Sequence, residues 1–318
     1  MTNATVNIQV RNRWDVWRLQ FNANLRRFRS DCVVFFRNRL AVIGILLLFM
    51  FAAMTFIHPL LLATVWPPQI YNVRTGFNPA IMHPSLPSAT HLLGTDAIGR
   101  DVLSMLLAST RSAFVIGITA ASITAIVAIT VAVVSAYFRG VVDAIFTHIS
   151  DAFLLVPIPL LLVILATRFG QDMTPAVFGT IYGIMAGIGG GAIVIRAQAI
   201  SIMEKPFIEA TRASGSSAWH IITAYLIPHI LPLTFVYMML SITGAIVADG
   251  FASFFGLNRG YMNWGSMIYL AFEYLSINPQ IPWNVLIPPS VALSLFAASF
   301  YLISRGLHDV AEPRLRGR

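Results

Sequence analysis

The sequence predicts an all-α membrane protein with six transmembrane helices. Of its 318 residues, 57% are hydrophobic and only 11% are charged, against about 25% charged in soluble domains. Uncharged segments of roughly twenty residues recur along the chain, the length that crosses a hydrocarbon core as a helix. Only a helix satisfies every backbone N–H and C=O within one such segment.

The first 39 residues are polar and basic. They are too aromatic for a signal-peptide leader, and no small-residue cleavage site follows, so the first apolar span is read as retained. Trp14, Trp17, Phe21, Leu25, Phe28 and Cys32 recur at helical spacing, with Arg18, Arg26, Arg27 and Arg29 around them. That pattern reads as an amphipathic interfacial helix with its arginines at anionic headgroups; a plain basic tail is the alternative. A membrane domain over 40–305 follows. Its expected spans are 40–63, 112–138, 150–167, 174–195, 232–256 and 283–304, and a basic tail closes the chain at 306–318. Pro157 and Pro159 predict a kink in the third span. The loop 64–111 between the first two spans holds five prolines and is expected to start irregular and end helical.

Lys and Arg set the orientation. With the N-terminus in the cytoplasm, the inner segments hold 8, 1, 3 and 4 of them, which is 16 of the 21, and the outer loops hold 3, 1 and 1. The positive-inside rule then places both termini of this multi-pass membrane protein in the cytoplasm. The net charge of +8 flanks apolar spans instead of forming one groove-sized patch, so the lipid bilayer is a partner and nucleic acid is not.

Several chemistries are excluded. Lys205 is the only lysine and no Gly-rich loop precedes it, so the chain has no P-loop of its own. Neither a zinc-protease helix nor a nucleophile turn occurs. Cys32 is the single cysteine, which rules out an internal disulfide. No catalytic residue and no metal ligand is expected. His148 and Asp151 share a helix face near the inner edge and read as a hydrogen-bonded or solvated pair, with a proton relay as the alternative. Asp249 is the one acidic residue well inside an apolar run; its partner is either structural or a substrate or proton. Gly179, Gly183, Gly187 and Gly191 recur every four residues in the fourth span. They mark a close helix contact, within the chain or with another subunit.

The inner loop 196–231 is the most polar stretch between spans. It reads Glu209-Ala210-Thr211-Arg212-Ala213-Ser214-Gly215, then Trp219-His220-Ile221-Ile222, then Tyr225 to Pro232 with prolines at 228 and 232. A short helix, a turn at Gly215 and a second helix leading into the membrane are expected. The small residues suit a rigid piece that seats in a cleft on a partner.

This stretch resembles the EAA motif of binding-protein-dependent ABC importer permeases, with Glu209, Ala210, Gly215 and Pro228 at matching positions. Thr211, Tyr225 and Ile227 depart from that pattern. A second stretch, Gly94-Thr95-Asp96-Ala97-Ile98-Gly99-Arg100-Asp101-Val102-Leu103-Ser104, is similar to a motif of the C-type permeases for dipeptides, oligopeptides and nickel. Ser253-Phe254-Phe255-Gly256-Leu257, Trp264-Gly265 and the run Asp309, Pro313, Arg314 extend the likeness over about 35–316. Glu312 stands where that family has Asp, and Asp249 where it has Glu.

The resemblance implies the type I ABC importer permease fold. It also implies pairing with a second, similar permease, two cytoplasmic ATPases that hold the ATP and magnesium, and an extracytoplasmic solute-binding protein. Residues 207–221 would be the coupling helix, with Glu209, Ala210, Arg212, Gly215 and Pro228 the docking set. Gly94, Asp96, Arg100 and Asp101 would be structural or meet the binding protein. The implied function is import of peptides or similar small solutes by alternating access. An ion-coupled secondary transporter predicts intramembrane charge pairs, and a membrane enzyme predicts a catalytic constellation; neither pattern occurs in the sequence.

Overall fold

The computed structural model describes residues 29–30, 32–169, 172–256, 260–275 and 283–311. The expected interfacial helix through Phe28 lies outside them, as do Leu257, Glu312, Pro313 and Arg314. The helices of the bundle and its inner loop, in chain order, are α1 (Arg39–Thr64), α2 (Val102–Phe138), α3 (Gly140–Leu155), α4 (Ile158–Phe169), α5 (Pro175–Ala186), α6 (Ala192–Met203), α7 (Pro206–Ala213), α8 (Ala218–Ile221), α9 (Ile227–Phe254), α10 (Trp264–Leu275) and α11 (Trp283–Ala311), with one further helical turn, Pro68–Tyr71, after α1. A π turn, Gly187–Gly191, joins α5 to α6, and a second, Ile222–Leu226, joins α8 to α9. No strand occurs among the described residues.

Among the described residues, five continuous stretches are long and apolar enough to cross a bilayer: Arg39–Thr64, Val102–Phe138, Pro175–Met203, Ala218–Phe254 and Trp283–Val310. The sixth expected span differs. In place of one kinked helix over 150–167, α3 and the start of α4 meet at 78°. Pro157 has no N–H to donate and its ring crowds the preceding turn. It also drives Val156 out of the helical region, and Val156 indeed sits at φ −83°, ψ 118°. The second span also differs, starting ten residues before the expected 112. Asp101 caps it, its carboxylate accepting from the Ser104 N–H at 2.7 Å.

α2 is the central helix, packed by α5, α6 and α9, while α11 closes against α9 and α1. The glycine stripe explains the α2–α5 contact. A Cβ on Gly183 would lie 2.7 Å from the Ala120 carbonyl oxygen, and one on Gly187 3.1 Å from that of Thr124. The stripe is therefore spent on the chain's own second span. A ring cluster of Phe51, Phe114, Trp264 and Phe296, with centroids 5.1–5.6 Å apart, fills the other half of the core. The Trp264 indole N–H also donates to the Leu106 carbonyl at 3.1 Å.

The two ends of the bundle follow from contacts. Asn38, at the start of α1, donates to the Asp309 carboxylate near the end of α11 at 2.7 Å. Arg139, after α2, lies 3.4 Å from Glu204, after α6. Both chain ends of the bundle and the loop 204–226 thus share one end. Residues 65–101 and α10 sit at the other.

Candidate functional site

The loop between α6 and α9 has a buried inner face and an exposed outer face. Ile208, Ile221, Leu226 and Ile230 are at most 1% exposed and pack with Ala132, Ala136, Ile195 and Ala199 of α2 and α6. Burial of each such side chain from water is worth about 1.5–3 kcal/mol, so the loop is held to the bundle as a rigid unit. On the outer face, Glu209, Ala210, Arg212 and Gly215 are all exposed, and Pro228 is exposed at the start of α9.

Local sequence shapes this unit. Pro206 starts α7 where a missing N–H costs nothing, Glu209 lies in its first turn and Arg212 in its last, each charge complementing the helix dipole. Gly215 then ends it in a Schellman turn: its N–H reaches Arg212 O at 2.9 Å and that of Ser216 reaches Thr211 O at 3.3 Å. The turn requires φ +79° at Gly215, a region closed to most side chains. Ser217 caps α8 through its hydroxyl, which accepts from the His220 N–H at 3.3 Å. The π turn 222–226 sits just where Pro228 withdraws its amide from the helical ladder.

Sequence reasoning missed the largest feature of this face. Trp219, on α8, is 73% exposed, and Phe207, on α7, is 41% exposed. An aromatic in a polar loop was the available signal. Also missed was Arg196, whose guanidinium donates to Asp143 at 2.5 Å and to Thr147 at 2.6 Å. These bonds tie α3 to α6.

The other motif residues lie at the opposite end. Residues 94–104 form a clasp in which nearly every polar motif group is used internally. The Asp96 carboxylate accepts from Arg100 Nε and Nη2 at 2.8 and 2.6 Å, and from the Arg100 and Ile98 N–H groups. Asp101 caps α2 and binds His91 Nδ1 at 2.9 Å. The Ser104 hydroxyl donates to Tyr71 O at 2.6 Å. Gly94, at φ +77°, admits the Asn284 side chain, which donates to Ser85 O and Leu93 O. Arg100 and Asp101 therefore pair with Asp96 and His91, not with each other. Burial pushes the Asp101 carboxyl up from its ordinary range, against the opposing pull of its Ser104 and His91 hydrogen bonds.

Asp101→Ala removes a cap worth about 1 kcal/mol and leaves Nδ1 of the fully buried His91 ring without its partner, at about 1–3 kcal/mol more. Its thermal unfolding in detergent should shift down clearly. Asn78 donates to His91 Nε2 at 3.0 Å, which leaves Nδ1–H the donor to Asp101, so Asp101→Asn can accept from Ser104 or from His91 but not from both and should recover only part of the loss.

Asp249 is 5% exposed. Its carboxylate accepts from the Tyr261 hydroxyl at 2.7 Å and from the Asn263 amide at 3.3 Å, and that amide also binds Ser253 at 2.7 Å. The group faces protein and joins the end of α9 to the segment entering α10. Among the described residues no cluster of His, Cys, Asp or Glu is placed to hold a metal.

Comparisons with known proteins agree with this architecture. The sequence profile of the binding-protein-dependent transport system inner membrane components matches residues 128–317. The oligopeptide transport system permease protein OppC of Salmonella typhimurium is 32% identical over 285 residues, covering 89% of each chain. OppC of Haemophilus influenzae is 30% identical over 284 residues, covering 89% of this chain and 87% of its own. OppC of Escherichia coli K12 is 30% identical over 285 residues, 89% of each. The chain belongs to the binding-protein-dependent transport system inner membrane component family, and is a membrane-spanning permease subunit of an ABC importer.

Proposed function

We propose that this permease imports peptides, receiving them from a solute-binding protein at the 65–101 end and releasing them into the cytoplasm. It works with a second, similar permease and two ATPases, which carry the ATP and magnesium. The relatives' printed names, oligopeptide transport permeases, support the substrate class. The Lys/Arg asymmetry and the Asn38–Asp309 contact support cytoplasmic termini on the side of the 204–226 loop.

The observation that carries the ATPase coupling is the two-faced loop: buried isoleucines and Leu226 fix it to α2 and α6, while Glu209, Ala210, Arg212 and Trp219 stand outward. Closure of the ATPase dimer moves this rigid unit, and motion passes directly to α6 and on through the first π turn to α5, and through the second π turn to α9. Backbone at Gly189, in the first of these turns, already departs from helix, at φ −76°, ψ −116°. Differential binding of ATP to the closed dimer then biases the bundle between two packings.

The test is gentle purification of the tagged chain from its source cells, with subunit stoichiometry and ATP-dependent peptide uptake measured after reconstitution. One further permease and two ATPases per tagged chain are expected; a stable transporting assembly without an ATPase would refute the reading. Trp219→Ala is expected to leave folding intact, because the ring is 73% exposed and makes no hydrogen bond or ring contact among the described residues. It should weaken ATPase retention by about thirtyfold, the loss typical of an exposed aromatic that anchors an interface.

A further inference from the structure

A cavity of about 660 Å³ opens at the 65–101 end of the bundle, between the last turn of α9, α10 and the clasp. Sites for small ligands typically measure about 300–1,000 Å³. Its lining includes Arg74, Arg100, Tyr261, Ser266, Tyr269 and Glu273. Most of these polar groups are already spent. Arg100 is neutralised by Asp96 at 2.6 Å, the Tyr261 hydroxyl binds Asp249, and the Ser266 hydroxyl donates to Asn263 O at 2.7 Å.

Two charges are not spent. Among the described residues, neither the Arg74 guanidinium nor the Glu273 carboxylate has an ion-pair partner, and the two do not pair with each other. Both side chains are exposed, and they border one cavity from separate elements, the segment after Pro68–Tyr71 and α10, at more than ion-pair distance. Opposite charges on separate elements bordering one cavity can each meet one end of a ligand carrying both signs. The tyrosine rings at 261 and 269 add apolar walls with polar tips.

We propose that this cavity is an entry subsite for a zwitterionic peptide, with its terminal carboxylate on Arg74 and its terminal ammonium on Glu273. The proposal rests on the peptide-import reading and deepens it. Arg100, locked by Asp96, shapes the wall without adding net charge. A site that reads only the two termini is indifferent to side chains, which suits a permease whose binding protein does the selecting.

The experiment uses the assembled importer in proteoliposomes with its binding protein, and radiolabelled trialanine as the probe at subsaturating concentration. Arg74→Gln and Glu273→Gln should each lower uptake about fivefold, the loss of one charge-assisted contact. Binding of fluorescently labelled binding protein to the same assemblies in nanodiscs should keep the wild-type Kd. Unchanged uptake in both variants would overturn the proposal while leaving the peptide-import reading intact. A weakened Kd that accounts for the uptake loss would also overturn it, because the residues would then hold the binding protein. If the wild-type assembly itself takes up no trialanine, the peptide reading fails and the ligand class falls with it.

Discussion

Glu209→Lys should strip the ATPase from the proposed assembly and take transport to background, while the membrane bundle stays folded. Glu209 is exposed and outside the buried cluster of the loop, so reversal costs the isolated chain only the favourable first-turn charge on α7, about 0.3–1 kcal/mol. Across a docked surface the same reversal breaks a partnered charge, typically about 2–5 kcal/mol, or more than thirtyfold in affinity. Gly215→Val should act at the same step by a different cause. A Cβ there meets no atom within 4 Å, so crowding is no factor; φ +79° is what a β-branched side chain cannot adopt. The Schellman turn opens and α7 is re-aimed against α8. Co-purified ATPase, set against the melting temperature of the permease, separates docking loss from unfolding. Retention of ATPase at wild-type stoichiometry in both variants would count against the loop as the docking site.

Gly183→Leu should abolish the folded bundle. The obstacles to its Cβ are the Ala120 carbonyl at 2.7 Å and the Ile123 Cβ at 2.8 Å, both fixed to the central helix. Neither can swing aside, so α5 and α2 must separate. The cost is at or beyond the upper end of overpacking, about 3 kcal/mol or more. A monodisperse peak in detergent size-exclusion chromatography should be lost. Gly190→Ala is the matched control: its Cβ meets only the Leu154 side chain at 3.9 Å, and the peak should persist. Equal behaviour of the two variants would show that the stripe does not set the α2–α5 distance.

The parts legible in the sequence were those with local causes. Uncharged length gave the spans, and the prolines at 157 and 159 marked the broken one, though not that the break reaches 78°. Composition does not report how far a helix with two prolines folds over when its neighbours leave room. The four-residue glycine period identified a close contact, but the partner, α2 of the same chain, is a tertiary fact. The motif at 94–104 was found by resemblance alone. Its internal logic, with Asp96 closing on Arg100 and Asp101 on a buried His91, depends on a histidine that no helical or strand period singles out. Asp249 was legible as an isolated charge; its partners Tyr261 and Asn263 lie across a turn. Trp219 was overlooked because exposure, not identity, makes it notable.

The central claim, that the exposed face of residues 206–221 seats on an ATPase, is tested most directly by cysteine cross-linking. Cys32 is the only native cysteine, so Cys32→Ser gives a clean background. Ala210→Cys in that background, labelled through its thiol with a maleimide–benzophenone and irradiated in native membranes, should yield an adduct of permease and ATPase, since the photoactivated ketone inserts into C–H bonds and needs no thiol on the partner. Ala80→Cys, exposed at the opposite end of the bundle, should yield none. An ATPase adduct absent at 210, or formed equally from 80, would contradict the account.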